Sequence, residues 1–147
     1  MTHYKTAKED IVPFGQKLAF GSGHLANQLF PAALGVFMVV LVMSLNMNPV
    51  LAGILGALPR LLDALTDPIM GFISDNTKSK WGRRKPYILL GSAITGVAFM
   101  VMWQLNPEDS QTYNFVYFLI VSVFFYIGYT IFATPLIGLG YEMTSDY

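Results

Sequence analysis

The sequence predicts an all-α membrane protein with four transmembrane helices, and three observations predict it. Apolar runs of about 20 residues recur along the chain, the length a helix needs to cross a hydrocarbon core. The chain is 54% hydrophobic and only 12% charged, with a mean hydropathy of +0.49. Five of its nine basic residues are packed between Lys78 and Lys85, in a loop between two of the runs, although the net charge is zero. Cysteine is absent, which removes disulfide frameworks and thiolate metal sites. No strand pattern, Gly-rich phosphate loop or nucleic-acid signature is visible. The basic cluster could meet nucleic acid or anionic lipid, but between two spans it reads as a topology signal.

Residues 1–17 are polar and mixed in charge, without the apolar core of a cleavable signal peptide. They are expected to be a cytoplasmic lead-in. The first span is expected over 18–45. Its second half, Ala32 to Leu45, is apolar. In its first half, His24, Asn27, Gln28 and Pro31 are spaced i, i+3, i+4 and i+7 and so share one helical face. Polar groups inside spans usually face a bundle interior or an aqueous path. The stripe is therefore expected to line a water-filled cavity, the alternative being a face that hydrogen-bonds to a neighbouring helix. Pro31 is expected to kink the helix.

Asn46 to Pro49 forms an uncharged turn. The second span is expected over 50–74, with Ala52 and Gly56 as a small-xxx-small pair for close packing. The loop from Asp75 to Pro86 carries the basic cluster. The connections at 46–49 and 106–112 carry no Lys or Arg, and the second has Glu108 and Asp109. By the positive-inside bias, the basic loop and the N-terminus are expected to be cytoplasmic. The third span, over 87–105, is uncharged, with Trp81 and Trp103 near its ends as interfacial anchors. The fourth, over 113–140, is rich in aromatics. Thr134-Pro135 is expected to interrupt it, and Gly138 and Gly140 to loosen its end.

The most informative stretch lies inside the second span, where Arg60, Asp63 and Asp67 occur within eight positions. Each charge at a helix centre costs about 2.5 to 3.5 kcal/mol on insertion scales. Asp63 and Asp67 are i, i+4 and share a face, with Arg60 on or beside it. Two ionised carboxylates about 6 Å apart repel by roughly 3 kcal/mol at an effective dielectric of 20. The site must hold a proton, a cation or a guanidinium. Arg60 can neutralise one carboxylate and leave the other for Na⁺, Li⁺ or H⁺. Pro68 has no N–H, so it frees the Ala64 carbonyl, and Thr66 offers a hydroxyl close by. Pro135 frees the Ile131 carbonyl next to Thr130 in the same way. Oxygen ligands of this kind suit a hard cation. The alternative is structural: an Arg60–Asp63 pair that orients the helix, with Asp67 capping a segment that restarts at Pro68.

Asp75 closes the second span, where a carboxylate is unfavourable against the helix dipole unless paired. Arg83 and Arg84 are its expected partners across the loop, as a latch or as a fixed anchor. His3 and His24 are the only histidines, and no nucleophile–base or metal-ligand spacing is visible. No enzyme is expected.

These residues carry a resemblance. Asp63-Ala-Leu-Thr-Asp67-Pro-Ile-Met-Gly71, then Ser74-Asp75 and Lys80-Trp-Gly-Arg-Arg-Lys-Pro86, resemble the glycoside–pentoside–hexuronide:cation symporters, the melibiose-permease-like branch of the major facilitator superfamily. Gly71, Asp75, Gly82, Arg83 and Arg84 look like the cytoplasmic loop motif of that superfamily, a gate. Tyr129 to Pro135 and Gly140 to Tyr147 resemble the branch's fourth helix and the loop after it. The resemblance implies part of an N-terminal six-helix bundle in a twelve-helix transporter that alternates access around a midplane site. It implies that Asp63 and Asp67 hold the coupling cation, Na⁺ or H⁺, with Thr130 contributing, and no other cofactor. The melibiose-type sugar carboxylates fall near Ala26–Asn27 and at Ala133, and a sugar-stacking aromatic near Ile137, so the galactoside half of the site is not kept. A uronide, another glycoside or a non-sugar solute stays open. His24, Asn27, Gln28, Tyr126 and Tyr129 are the candidate lining residues.

Four helices are about a third of such a transporter. The chain is accordingly expected to be its N-terminal third, in a plasma or bacterial inner membrane. Its expected partners are the bilayer, a small solute and the remaining helices. The alternative is a small four-span protein that works as a homo-oligomer or assembly subunit, with Arg60 and the aspartates as an interhelical lock.

Overall fold

The computed structural model describes residues 11–143, apart from the side chains of Pro59 and Arg60. The order is α1 (Phe14–Met43), α2 (Pro49–Asn76), α3 (Lys85–Met102) and α4 (Gln111–Glu142). All four are long and apolar enough to cross a membrane, and the described residues contain no strand.

Local chemistry places the helix ends, and they differ from the hydropathy boundaries by a few residues. α1 starts at Phe14 rather than Leu18, because the amides of Gln16 and Lys17 bond the Pro13 carbonyl. Residues 1–10 of the expected lead-in lie outside the described residues. α2 starts on Pro49, which needs no N–H partner at the first helical position, and Asn48 caps it by accepting from the Val50 amide at 2.9 Å. It runs on to Asn76, where the Asn76 amide and Thr77 hydroxyl donate to the carbonyls of Phe72 and Ile73, both at 2.8 Å. α3 stops at Met102, short of Leu105. Pro107 disfavours helix at Asn106, and the Asn106 carbonyl instead accepts from the Asn114 side chain at 3.0 Å.

The expected interruption at Thr134-Pro135 does not occur: α4 passes through Pro135 without a break. α2 likewise passes through Pro68, so Asp67 caps no restarting segment, as the structural alternative required. Nor do the glycines loosen the end of α4, which continues to Glu142. A side chain at Gly140 would strike the Phe20 ring, so this glycine marks a close approach of α1.

α4 is the central helix. It packs most extensively on α3, then on α2 and α1, and α1 also meets α2. The core joins Leu34, Phe37 and Leu41 of α1 to Leu55 of α2, Met102 of α3, and Phe118 and Phe125 of α4. Phe37 stacks on Phe118 with centroids 5.1 Å apart and meets Trp103 edge-on at 4.5 Å. Trp103 is thus a packing residue as well as a terminal one. Ala52 is buried, and Gly56 of the small-residue pair faces Met38 of α1.

The α3–α4 contact depends on two glycines. A Cβ at Gly91 would overlap the backbone of Ile131 and Phe132, and one at Gly128 would lie 2.7 Å from Ile94 and 3.0 Å from Thr95. Removing the side chains lets the two backbones touch, the same device that draws membrane helices together where no hydrophobic drive exists.

Candidate functional site

The seam between α2 and α4 holds the charged stretch. Asp63 and Asp67 stand one turn apart on α2, and each meets a threonine of α4. The Thr130 hydroxyl donates to Asp63 at 3.5 Å, and the Thr134 hydroxyl donates to Asp67 at 2.9 Å. Thr66 joins them: its hydroxyl lies 3.1 Å from that of Thr130 and donates to the Leu62 carbonyl at 2.9 Å. Thr130 is buried, Asp63 half-buried and Asp67 exposed. Ala64 is exposed on α2, one turn before Pro68, whose missing N–H leaves its carbonyl without a helical donor. The Arg60 side chain, the expected charge partner, lies outside the described residues.

Asp63 also lines a cavity of about 380 Å³ between α1, α2 and α4. Its other walls include Pro31 and Gly35 of α1, Gly56 of α2, and Phe125, Tyr126 and Tyr129 of α4. The one carboxylate therefore belongs to both the polar seam and the cavity. Tyr129 stacks on Phe125 at 6.0 Å and donates its hydroxyl to the Asn27 carbonyl at 3.0 Å.

The expected polar stripe on α1 divides. Asn27 is buried with an unpartnered side-chain oxygen, while its backbone receives Tyr129. His24 and Gln28 are exposed, and His24 stacks on Phe20 of its own helix at 6.0 Å. None of the three lines the cavity, whereas Tyr126, Tyr129 and Pro31 do. A shared face is a statement about period. Which part of it meets a neighbour depends on where α4 crosses α1. Ala133 is packed beside Phe132 and Leu136, and Ile137 is exposed.

A second cluster ties the basic loop to the helix ends. Arg84 donates to Asp75 at 2.6 Å and lies 3.3 Å from Glu142, while Arg83 donates to Glu142 at 2.6 Å. Arg83 does not reach Asp75. It turns instead to the last turn of α4, which the sequence reading left out. Gly82 makes the turn: its φ is +96°, a left-handed value that side chains resist. The Arg84 guanidinium lies against Gly138, where any Cβ would overlap it. Gly71 belongs to the seam rather than to this cluster, with the Thr134 methyl 3.8 Å from where its Cβ would stand.

Sequence reasoning missed two residues, Thr134 and Glu142. Thr134 lies four residues after Thr130, on the same face, so i, i+4 spacing could have found it. Glu142 lies beyond the expected end of the fourth span at 140, and nothing in the sequence signals that α4 extends past Gly140.

Residues 19–147 match the family described as MFS/sugar transport protein. The chain is 27% identical over 142 residues to the inner membrane symporter YicJ of Escherichia coli, covering 95% of this chain and 30% of that protein. It is 28% identical over 142 residues to a lactose permease of Lactobacillus helveticus, covering 90% and 22%. To the mouse sodium-dependent lysophosphatidylcholine symporter 1 it is 29% identical over 133 residues, covering 87% and 25%. The chain spans less than a third of the length of each of these relatives. No solved structure matches it significantly. With the family matched along all four membrane-spanning helices, this multi-pass chain belongs to the MFS/sugar transport proteins, in the glycoside–pentoside–hexuronide:cation symporter branch of the major facilitator superfamily.

Proposed function

We propose that the chain supplies the cation site and part of the solute cavity of a secondary transporter that couples Na⁺ or H⁺ to uptake of a sugar, glycoside or uronide. One observation carries this reading. Asp63 takes part in the threonine-bridged seam and also lines the cavity. A cation that settles at Asp63 and Asp67 therefore changes the charge and position of a cavity wall. Coupling needs that kind of differential contact between the two ligands. Tyr126 and Tyr129 give the cavity hydroxyls and aromatic faces, a pairing that suits a glycoside.

The test is uptake of a labelled glycoside and uronide panel into membrane vesicles, driven by a Na⁺ gradient or by a pH gradient. Stimulation by either gradient is the expected result. Uptake indifferent to both would overturn the reading.

The loop cluster is the gate in this proposal, at the cytoplasmic face that the basic loop marks. Arg84 holds the two carboxylates together and its side chain is only 13% exposed, against 55% for Arg83. Exposed ion pairs contribute about 0–1 kcal/mol. Arg84→Ala, which removes both pairs and the one covered partner in them, should raise the reactivity of a Gly35→Cys reporter toward an impermeant maleimide about tenfold from that face, equivalent to losing ~1.4 kcal/mol of closed state. Arg83→Ala should change it less than about twofold. These 147 residues contain no cysteine, and any cysteine elsewhere in the transporter is first replaced by serine. Equal effects of the two substitutions would remove Arg84 from the gate.

A further inference from the structure

The two carboxylates of the seam are not held alike. Thr130 and Thr66 each have one hydroxyl proton, and these two protons face four acceptors. Thr66 can donate to the Leu62 carbonyl or to Thr130, and Thr130 can donate to Thr66 or to Asp63. The Thr130–Asp63 contact is the longer of the two seam bonds, at 3.5 Å. Thr134 has no such rival. Asp67 is its side-chain partner, at 2.9 Å. Its methyl lies 3.8 Å from where a Gly71 Cβ would stand on α2, which favours this one of the two χ1 rotamers that threonine adopts in a helix. With the methyl against α2, the hydroxyl is aimed at Asp67.

Resting on the cation-site reading above, we infer that Thr134 is a positioning residue that makes the site selective for a metal cation over a proton. A proton needs one basic carboxylate oxygen. A hard metal cation needs several oxygens at once, held in place. The Thr134 hydroxyl fixes Asp67 against α4 through its proton and keeps its lone pairs free as a further oxygen. Pro135, the next residue, adds to the oxygen supply of this turn, since the Ile131 carbonyl loses its helical donor. Removing the hydroxyl leaves proton binding at the carboxylates and takes away the geometry that a metal requires.

The test is Na⁺-dependent thermal stabilisation of the purified protein in lipid nanodiscs, with choline chloride at equal ionic strength as the reference. Thr134→Val keeps the shape and removes the oxygen. It should raise the half-saturating Na⁺ concentration at least about tenfold, the usual scale for losing a group that orients a metal ligand. In choline, stability should still respond to pH, because both carboxylates remain, and Thr134→Ser should restore Na⁺ binding. If the valine variant does not fold, Thr134→Ala carries the same comparison. An unchanged Na⁺ response in the valine variant overturns the inference, as does an equal loss of the Na⁺ and pH responses, or no Na⁺ response in the natural protein. Asp67→Asn separates the two levels of the argument. Should it keep the full Na⁺ response, the cation site itself is wrong. Should it lose the response while Thr134→Val keeps it, only the role of Thr134 fails.

Discussion

Asp63→Asn and Asp67→Asn should each abolish the stimulation of uptake by a Na⁺ or pH gradient while leaving the protein folded. Asparagine keeps the size of aspartate and an oxygen to accept from Thr130 or Thr134, so both seam contacts survive in kind. What disappears is the charge. A site of two carboxylates attracts a monovalent cation because their mutual repulsion, about 3 kcal/mol at ~6 Å and an effective dielectric of 20, is relieved when the cation arrives. With one carboxylate neutral, no repulsion remains to relieve. Affinity should fall at least about a hundredfold, or ~2.7 kcal/mol. Flux measured across a range of cation concentrations, and binding of Na⁺ in nanodiscs, read the same loss in two ways. Asp63→Asn should in addition weaken solute binding, because Asp63 lines the cavity. Gradient-stimulated uptake that persists in both variants would return the aspartates to a structural role.

The second large effect concerns assembly. Gly91→Ala should destabilise the bundle by about 3 kcal/mol, the upper part of the range for overpacking. Its new methyl group would stand 2.7 Å from the Ile131 carbonyl carbon and 2.8 Å from the Phe132 Cα. These are backbone atoms of α4 and cannot swing aside as a side chain can, so α3 must back away along its whole contact. Gly96→Ala is the matched control. It lies on the same helix with nothing within 4 Å of the built Cβ, and alanine is the better helix former by up to ~1 kcal/mol. Thermal unfolding in detergent should show a lower midpoint for the first and an equal or higher one for the second. Equal midpoints would mean that α3 and α4 approach less closely than described.

The four spans were legible because hydropathy reports length and apolarity directly. Their ends were not. Pro13, Asn48, Asn106 and Thr77 decide them through single hydrogen bonds that a window average smooths away. The aspartate pair stood out because charge is so rare in such a chain. Thr66 and Thr130 were named with it, but Thr134 was harder to see, since a threonine in a span is ordinary until the crossing point of α2 and α4 is known. His24 and Gln28 show the converse. Period put them on one face with Asn27, yet only Asn27 is covered, because α4 meets α1 along a line narrower than the stripe. Gly138 and Gly140 were read as weak points from propensity alone, and packing gave them the opposite use: each admits a ring or a guanidinium that a larger residue would exclude.

The central place of α4 has a mechanical consequence. From Thr130 to Glu142 is twelve residues of one unbroken helix, about 18 Å at 1.5 Å per residue. Along that rod sit the hydroxyls that meet the aspartates, the glycine that admits Arg84 and the carboxylate that receives both arginines. A helix barely stretches, so α4 moving as one body, Pro135 included, would shift the two threonines and Glu142 together.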